Sequence, residues 1–213
     1  MNDIIVAEKH SEYPRPICFN YDYSKVTLDG YSLDFQEQWF GAMPYLLVHP
    51  FDLAILKAYI VKNDVKLVTE LGCGSTSRFL DRICKVPRVT FALEDMLGSG
   101  ISFNKCDIFE SYDVILDSCK QSDLFLIDAI HSAGMAEFYL EILKETKIPV
   151  YIHDWYLPDE QTWPEQNYWI EHILGKYYEP IVIARAFGIC PKDSFVNGGI
   201  PPCCAILVHK DSI

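Results

Sequence analysis

Apolar residues along this chain alternate between short continuous runs and stripes at helical spacing. A helix is predicted from His49-Pro50, because Phe51, Ile55, Leu56, Tyr59 and Ile60 fall on one helical face. It stops near Asn63-Asp64. A short strand follows at Leu67, Val68 and Thr69, then Glu70, two glycines at Gly72 and Gly74, and the hydroxyls Ser75, Thr76 and Ser77. That order reads as strand, tight turn, helix start. Glycine lets the backbone turn sharply and lets a ligand approach it, and hydroxyls cap the free N–H groups of a new helix. Phe79, Leu80, Ile83 and Cys84 supply that helix's buried stripe, which Pro87 ends.

The alternation continues. Residues 88 to 95 are almost continuously apolar, as in a strand buried on both faces. A glycine-rich link, Leu97-Gly98-Ser99-Gly100, leads to a short run from Ile101 to Cys106 that ends in Asp107. Tyr112, Ile115, Leu116 and Cys119 mark a helix over Glu110–Lys120. A strand is predicted at 123–128, a helix face at Met135, Phe138, Tyr139, Ile142 and Leu143, and a strand at 149–154. Strands alternating with helices imply an α/β protein whose sheet is doubly wound and mainly parallel.

The two ends differ from this middle. Residues 1–48, rich in Tyr, Phe and Pro, are expected to form an arm or small hairpin packed on the domain. Asp29-Gly30 is its turn signal, flanked by Val26, Leu28, Tyr31, Leu33 and Phe35. Beyond Asp154 comes an aromatic, proline-bearing loop, and Thr162 with Glu165 fits a capping box. Trp169, Ile170, Ile173, Leu174 and Tyr177 form the next apolar face. Strands at Ile181–Phe187 and Cys203–Val208 are expected to pair antiparallel at one sheet edge. No linker or repeat interrupts the chain, so residues 1–213 read as a single domain with 49–213 as its α/β body.

Composition narrows the function. A formal net charge of −12 and a pI of about 4.8 disfavour nucleic acid as a partner, since an acidic surface repels phosphates. No apolar run approaches a membrane span and no leader is evident, so a cytoplasmic protein without a membrane partner is expected. Eight cysteines occur without a C-x-x-C pair, so a zinc site of common spacing is not indicated and a reducing compartment is. Cys203 and Cys204 should face opposite sides of their strand.

Ligands of doubly wound folds bind beyond the carboxyl ends of the strands. Four predicted strands end in acids: Glu70, Glu94, Asp128 and Asp154. Glu94 lies 22 residues after Gly72, an interval at which an acid accepts hydrogen bonds from ribose hydroxyls. Glu70 could hold an ammonium group or order the turn. His153 and His131 are candidate bases, because an ordinary imidazole titrates near neutrality. Asp128, His153 and Asp154 together suit a divalent ion. Trp155 and Trp163 could face the cleft, while Trp169 belongs to the core.

The stretch E-L-G-C-G-S-T-S-R-F-L at 70–80 resembles the first motif of class I S-adenosylmethionine-dependent methyltransferases. L-I-D-A-I-H-S and Y-I-H-D-W-Y-L-P-D resemble a subgroup with an Ile-Asp-x-x-His-Ser signature after strand four and His-Asp after strand five. The resemblance covers about residues 50–208 and implies a Rossmann-like fold of methyltransferase type with an antiparallel edge. It implies S-adenosylmethionine as cofactor, with Glu70, Gly72, Gly74 and Ser75 around its methionine part, Glu94 at the ribose and Asp107 near the adenine. It places Asp128 and His131 by the sulfonium and the acceptor, and His153 and Asp154 on the acceptor side. The acceptor it implies is a small molecule methylated on a hydroxyl group; some relatives are metal-dependent, and a homo-oligomer is compatible. The chain departs from the pattern in its short link between strands two and three and in Thr146-Lys147-Ile148-Pro149, where a glycine pair is usual. Two other readings stay open: a methyltransferase-like module that binds without catalysis, and a nicotinamide-dependent oxidoreductase, which the incomplete glycine fingerprint disfavours.

Overall fold

A computed structural model of the chain describes residues 3–7, 16–20, 27–28, 31–32, 50–95, 100–129, 132–155, 168–169, 171–187 and 203–212. The parallel centre comprises β5 (Val68–Leu71), β6 (Arg88–Ala92), β7 (Asn104–Lys105), β8 (Leu124–Ile127) and β9 (Val150–Ile152). Between them lie α1 (Pro50–Lys62), α2 (Ser75–Phe79, continued as a wider π turn over Leu80–Cys84), α3 (Tyr112–Gln121) and α4 (Ala133–Thr146). Strands β1 (Asp3–Ala7), β2 (Pro16–Asn20), β10 (Tyr178–Phe187) and β11 (Cys203–His209) complete a nine-stranded sheet, in the order β2-β1-β10-β11-β9-β8-β5-β6-β7.

Each parallel strand runs toward the same edge. β5 pairs in parallel with β6 and β8, and β8 with β9, so their carboxyl ends lie side by side. Side chains alternate between two cores, as a pleated strand requires. Leu124 and Leu126 join Val68, Phe79, Leu80 and Tyr151 under α1 and α2. Phe125 and Ile127 join Ile115, Met135, Tyr139 and Ile152 under α3 and α4. Each fully buried aliphatic side chain contributes about 1.5–3 kcal/mol of transfer free energy, so both layers hold the strand ends rigidly.

The expected antiparallel pair is present: β10 pairs with β11, and β11 with β9. β1 pairs with β10 and β2 with β1, so this antiparallel edge is four strands wide. The run Asp3-Ile-Ile-Val-Ala is β-branched enough to pair, and the exposed edge of β10 offers it a ladder. The hairpin signalled by Asp29-Gly30 forms as a separate pair, β3 (Thr27–Leu28) with β4 (Tyr31–Ser32).

Smaller differences have local causes. The strand read as 88–95 stops at Ala92, and Leu93 is exposed. Ile173 and Leu174 are buried but Tyr177 is not, because residues 173–177 turn directly into β10 instead of extending a helix. Cys204 is buried, as alternation demands. The Thr162–Glu165 capping box, Ile170 and the side chain of Phe51 lie outside the described residues. Among the described residues no helix is long and apolar enough to cross a membrane.

Candidate active site

The glycine turn is wedged against the end of β8. Gly72 adopts a φ of +96°, and a Cβ there would lie 1.8 Å from the Asp128 carbonyl oxygen. The Asp128 N–H in turn donates to the Leu71 carbonyl at 3.0 Å. Only glycine combines that backbone angle with that approach. The turn thereby fixes where Asp128 leaves the sheet.

Beneath the turn sits Glu70. It lies inside β5 rather than beyond it, 1% exposed, so it is not one of the acids that ring the crevice. Ser77 Oγ donates to its Oε1 at 2.9 Å and Thr90 Oγ1 to its Oε2 at 2.7 Å. Ser77 also accepts from the Gly74 N–H at 3.1 Å. Glu70 therefore orders the turn through Ser77. Arg88 Nε lies 3.7 Å from its Oε2. Burial dominates its ionisation: the carboxyl is pushed up to about 7, against the lowering effect of the Thr90 and Ser77 hydroxyls.

On the same face of the sheet, Thr76 Oγ1 donates to Asp128 Oδ2 at 2.7 Å. The other oxygen, Oδ1, lies 3.2 Å from His153 Nδ1, and Asp154 Oδ1 lies 3.3 Å from that same nitrogen. Asp154 sits at a φ of +57°, a left-handed conformation that turns its carboxylate back toward the preceding imidazole. The His153 side chain is 4% exposed, against 24% for Asp128 and 26% for Asp154. The ring is a buried link between two carboxylates that reach the surface.

Neither contact of Nδ1 has hydrogen-bond alignment, and Nε2 is buried without a partner among the described residues. The coupling is therefore chiefly ionic. Burial works against a charged His153, but the two carboxylates outweigh it and hold the imidazole well above its ordinary range. Burial likewise tends to raise Asp128, and His153 with Thr76 more than offsets this, keeping its carboxyl below the usual range. These contacts favour the protonated ring over the near-neutral base its residue type suggests. One ligand atom from each of Asp128, His153 and Asp154 lies within 4.8 Å of the others, a set that fits a divalent cation.

The other candidates spread out along the strand ends. Glu94 is exposed two residues past β6. Asp107 is exposed, and its carboxylate accepts from the Phe109 N–H at 2.9 Å, capping the turn that enters α3. Gly74 precedes α2 with nothing within 4 Å of where its Cβ would stand, and Ser75 is buried beside it. His131 and Trp163 lie outside the described residues. Trp155 does not face the cleft: it is fully buried, edge-on to Trp169 at 6.3 Å. Sequence reasoning read Thr76 only as a helix cap and passed over Thr90. Their partners are 52 and 20 residues away, beyond any local pattern.

No protein-family model matches the chain, and no curated protein matches it. Its structure is similar to the O-methyltransferase TomG from Streptomyces achromogenes, involved in tomaymycin synthesis and solved with S-adenosylmethionine, at a TM-score of 0.55 and 15% identity over 83% of this chain and 91% of that one. The fold is that of the O-methyltransferases. An O-methyltransferase from Bacillus cereus, solved with S-adenosylhomocysteine, gives a TM-score of 0.53 at 12% identity over 80% and 86% of the two chains. A Staphylococcus aureus protein described as a caffeoyl-CoA O-methyltransferase candidate gives 0.51 at 15% identity over 81% and 89%.

Proposed function

We propose that this chain is an S-adenosylmethionine-dependent methyltransferase that methylates a hydroxyl group of a small molecule. The observation that carries this reading is the union of the glycine turn with the acidic cluster. Gly72 backs onto Asp128, Thr76 bonds to it, and Asp128 reaches Asp154 through His153. All of them lie at the carboxyl ends of β5, β8 and β9, where doubly wound folds bind ligands. Two similar structures hold this cofactor or its product in the same fold.

In this reading the Gly72–Gly74 turn and Ser75 receive the amino-acid part of the cofactor, Glu94 the ribose, and Asp107 the adenine side. The methyl group passes in line from sulfur to the acceptor oxygen, so the sulfur–carbon bond breaks as the oxygen–carbon bond forms. The acceptor proton leaves to the carboxylates of the Asp128–His153–Asp154 cluster. The imidazolium between them offsets their charge and fixes their orientation, and positioning of this kind supplies most of what the protein adds. His131 belongs to the same subgroup signature and is assigned to the acceptor side. At a net charge of −12, a nucleic-acid acceptor is disfavoured.

The same three side chains support a second reading. Asp128, His153 and Asp154 would hold a divalent cation, which, when bound, lowers the pKa of an acceptor hydroxyl. Chelator treatment that leaves turnover unchanged removes this variant and keeps the first.

Thermal unfolding in the presence of candidate cofactors tests the proposal. S-adenosylhomocysteine should raise the melting temperature in proportion to the logarithm of its concentration, while NAD and NADP leave it unchanged. Stabilisation by a nicotinamide cofactor and not by S-adenosylhomocysteine would assign the chain to the oxidoreductases instead.

A further inference from the structure

We propose that Arg78 binds the carboxylate of the cofactor's amino-acid part. This rests on the methyltransferase reading and adds to it a residue that the glycine motif does not specify. Arg78 lies on α2, one turn beyond Gly74, whose carbonyl accepts from the Arg78 N–H at 3.2 Å. The residue is only 8% exposed. Its Nε is buried without a hydrogen-bond partner, and no carboxylate among the described residues forms an ion pair with it.

A buried polar atom left without a hydrogen-bond partner costs a fold stability. Acids are not scarce here, since Asp and Glu total 30 against 18 Lys and Arg. The contrast with Arg88 is direct. Its Nε also lacks a hydrogen-bond partner, but the 10%-exposed side chain pairs with Asp81 at 3.0 Å and lies 3.7 Å from Glu70. Its neighbours on α2 are also engaged: Thr76 by Asp128 and Ser77 by Glu70. Among the described residues no carboxylate pairs with Arg78.

Its direction and surroundings name the missing partner. Helical side chains lean toward the preceding turn, which for Arg78 is Gly74 and Ser75. Gly74 has open space on its side-chain face, with nothing within 4 Å of an added Cβ. A guanidinium reaching such a gap from the next helical turn would match a planar carboxylate, which it grips with two parallel hydrogen bonds. Two ligands could bring one: the cofactor through its amino-acid end, or an acidic acceptor. The gap lies at the glycine turn, on the cofactor's side of Asp128, which favours the cofactor.

Calorimetry separates these sources. The ligands are S-adenosylhomocysteine and 5′-methylthioadenosine, which shares the nucleoside and sulfur but lacks the amino acid. Arg78→Gln should weaken S-adenosylhomocysteine roughly thirtyfold or more, leave 5′-methylthioadenosine within about twofold, and be partly rescued by Arg78→Lys. Without ligand, the Arg78→Gln protein should melt at or above the wild-type temperature, because an unpaired charge has been removed. S-adenosylhomocysteine affinity unchanged by Arg78→Gln would overturn the proposal, and turnover lost with that affinity intact would assign Arg78 to the acceptor. Equal weakening of both ligands would overturn it as well. If the wild-type protein binds neither ligand, the methyltransferase reading itself falls.

Discussion

The carbonyl of Asp128 occupies the space that a side chain on Gly72 would need, 1.8 Å from the added Cβ. The glycine turn and Asp128 are therefore one packed unit. Gly72→Ala forces the turn away from β8 and places a side chain at a φ of +96°. It should cost about 3 kcal/mol or more in denaturant unfolding. A loss under 1 kcal/mol would show that the turn has room to adjust.

Thr76→Val keeps the shape of the residue and removes its bond to Asp128 Oδ2. The loss of one charge-assisted hydrogen bond should destabilise the fold by about 1.5–3 kcal/mol, with Thr76→Ser close to wild type. A loss in Thr76→Ser with Thr76→Val close to wild type would mean that the methyl group, not the hydroxyl, matters.

Glu70 makes stability depend on pH. Its carboxyl rises from 4.5 to about 7 in the fold, so the folded protein holds a proton that the unfolded chain releases. The contribution is fully present below pH 4.5 and is lost as pH rises through 7. At 1.36 kcal/mol per pKa unit this amounts to about 3 kcal/mol. Glu70→Gln removes the dependence, so the variant should gain stability relative to wild type between pH 5 and pH 8, read from melting curves. A difference that stays flat over that range would contradict the assignment.

His153 carries the opposite kind of charge. The two carboxylates that raise it make its stabilising contribution present below the ordinary imidazole range and lost only well above it. Its carbon-bound ring protons should show an imidazolium at pH 7 by NMR, and Asp128→Asn should move the titration down. A neutral ring at pH 7 in the wild-type protein would remove the imidazolium from the mechanism.

The fold was largely legible because its helices and strands announce themselves by period. Leu124–Ile127 and Val150–Ile152 are apolar on both faces, as central strands are, and Val68–Leu71 is buried along its whole length. Asp128, His153 and Asp154 could be named because each follows such a strand, and the structure brings them together. The strand at Asp3–Ala7 was less visible, since its partner lies at the far end of the chain. Charge state was least visible of all. Glu70 looked like a crevice acid, and only Thr90 and Ser77 above it reveal a buried one. His153 looked like a neutral base until Asp154, turned back at its left-handed angle, supplied a second carboxylate.

Titration calorimetry of the wild-type protein with S-adenosylhomocysteine, repeated with Glu94→Ala, tests the central claim most directly. The account predicts one saturable site in the wild type and weaker binding in the variant, because the proposed reading assigns the ribose to the exposed Glu94 carboxylate. A well-folded wild-type protein that binds neither S-adenosylhomocysteine nor S-adenosylmethionine would contradict it.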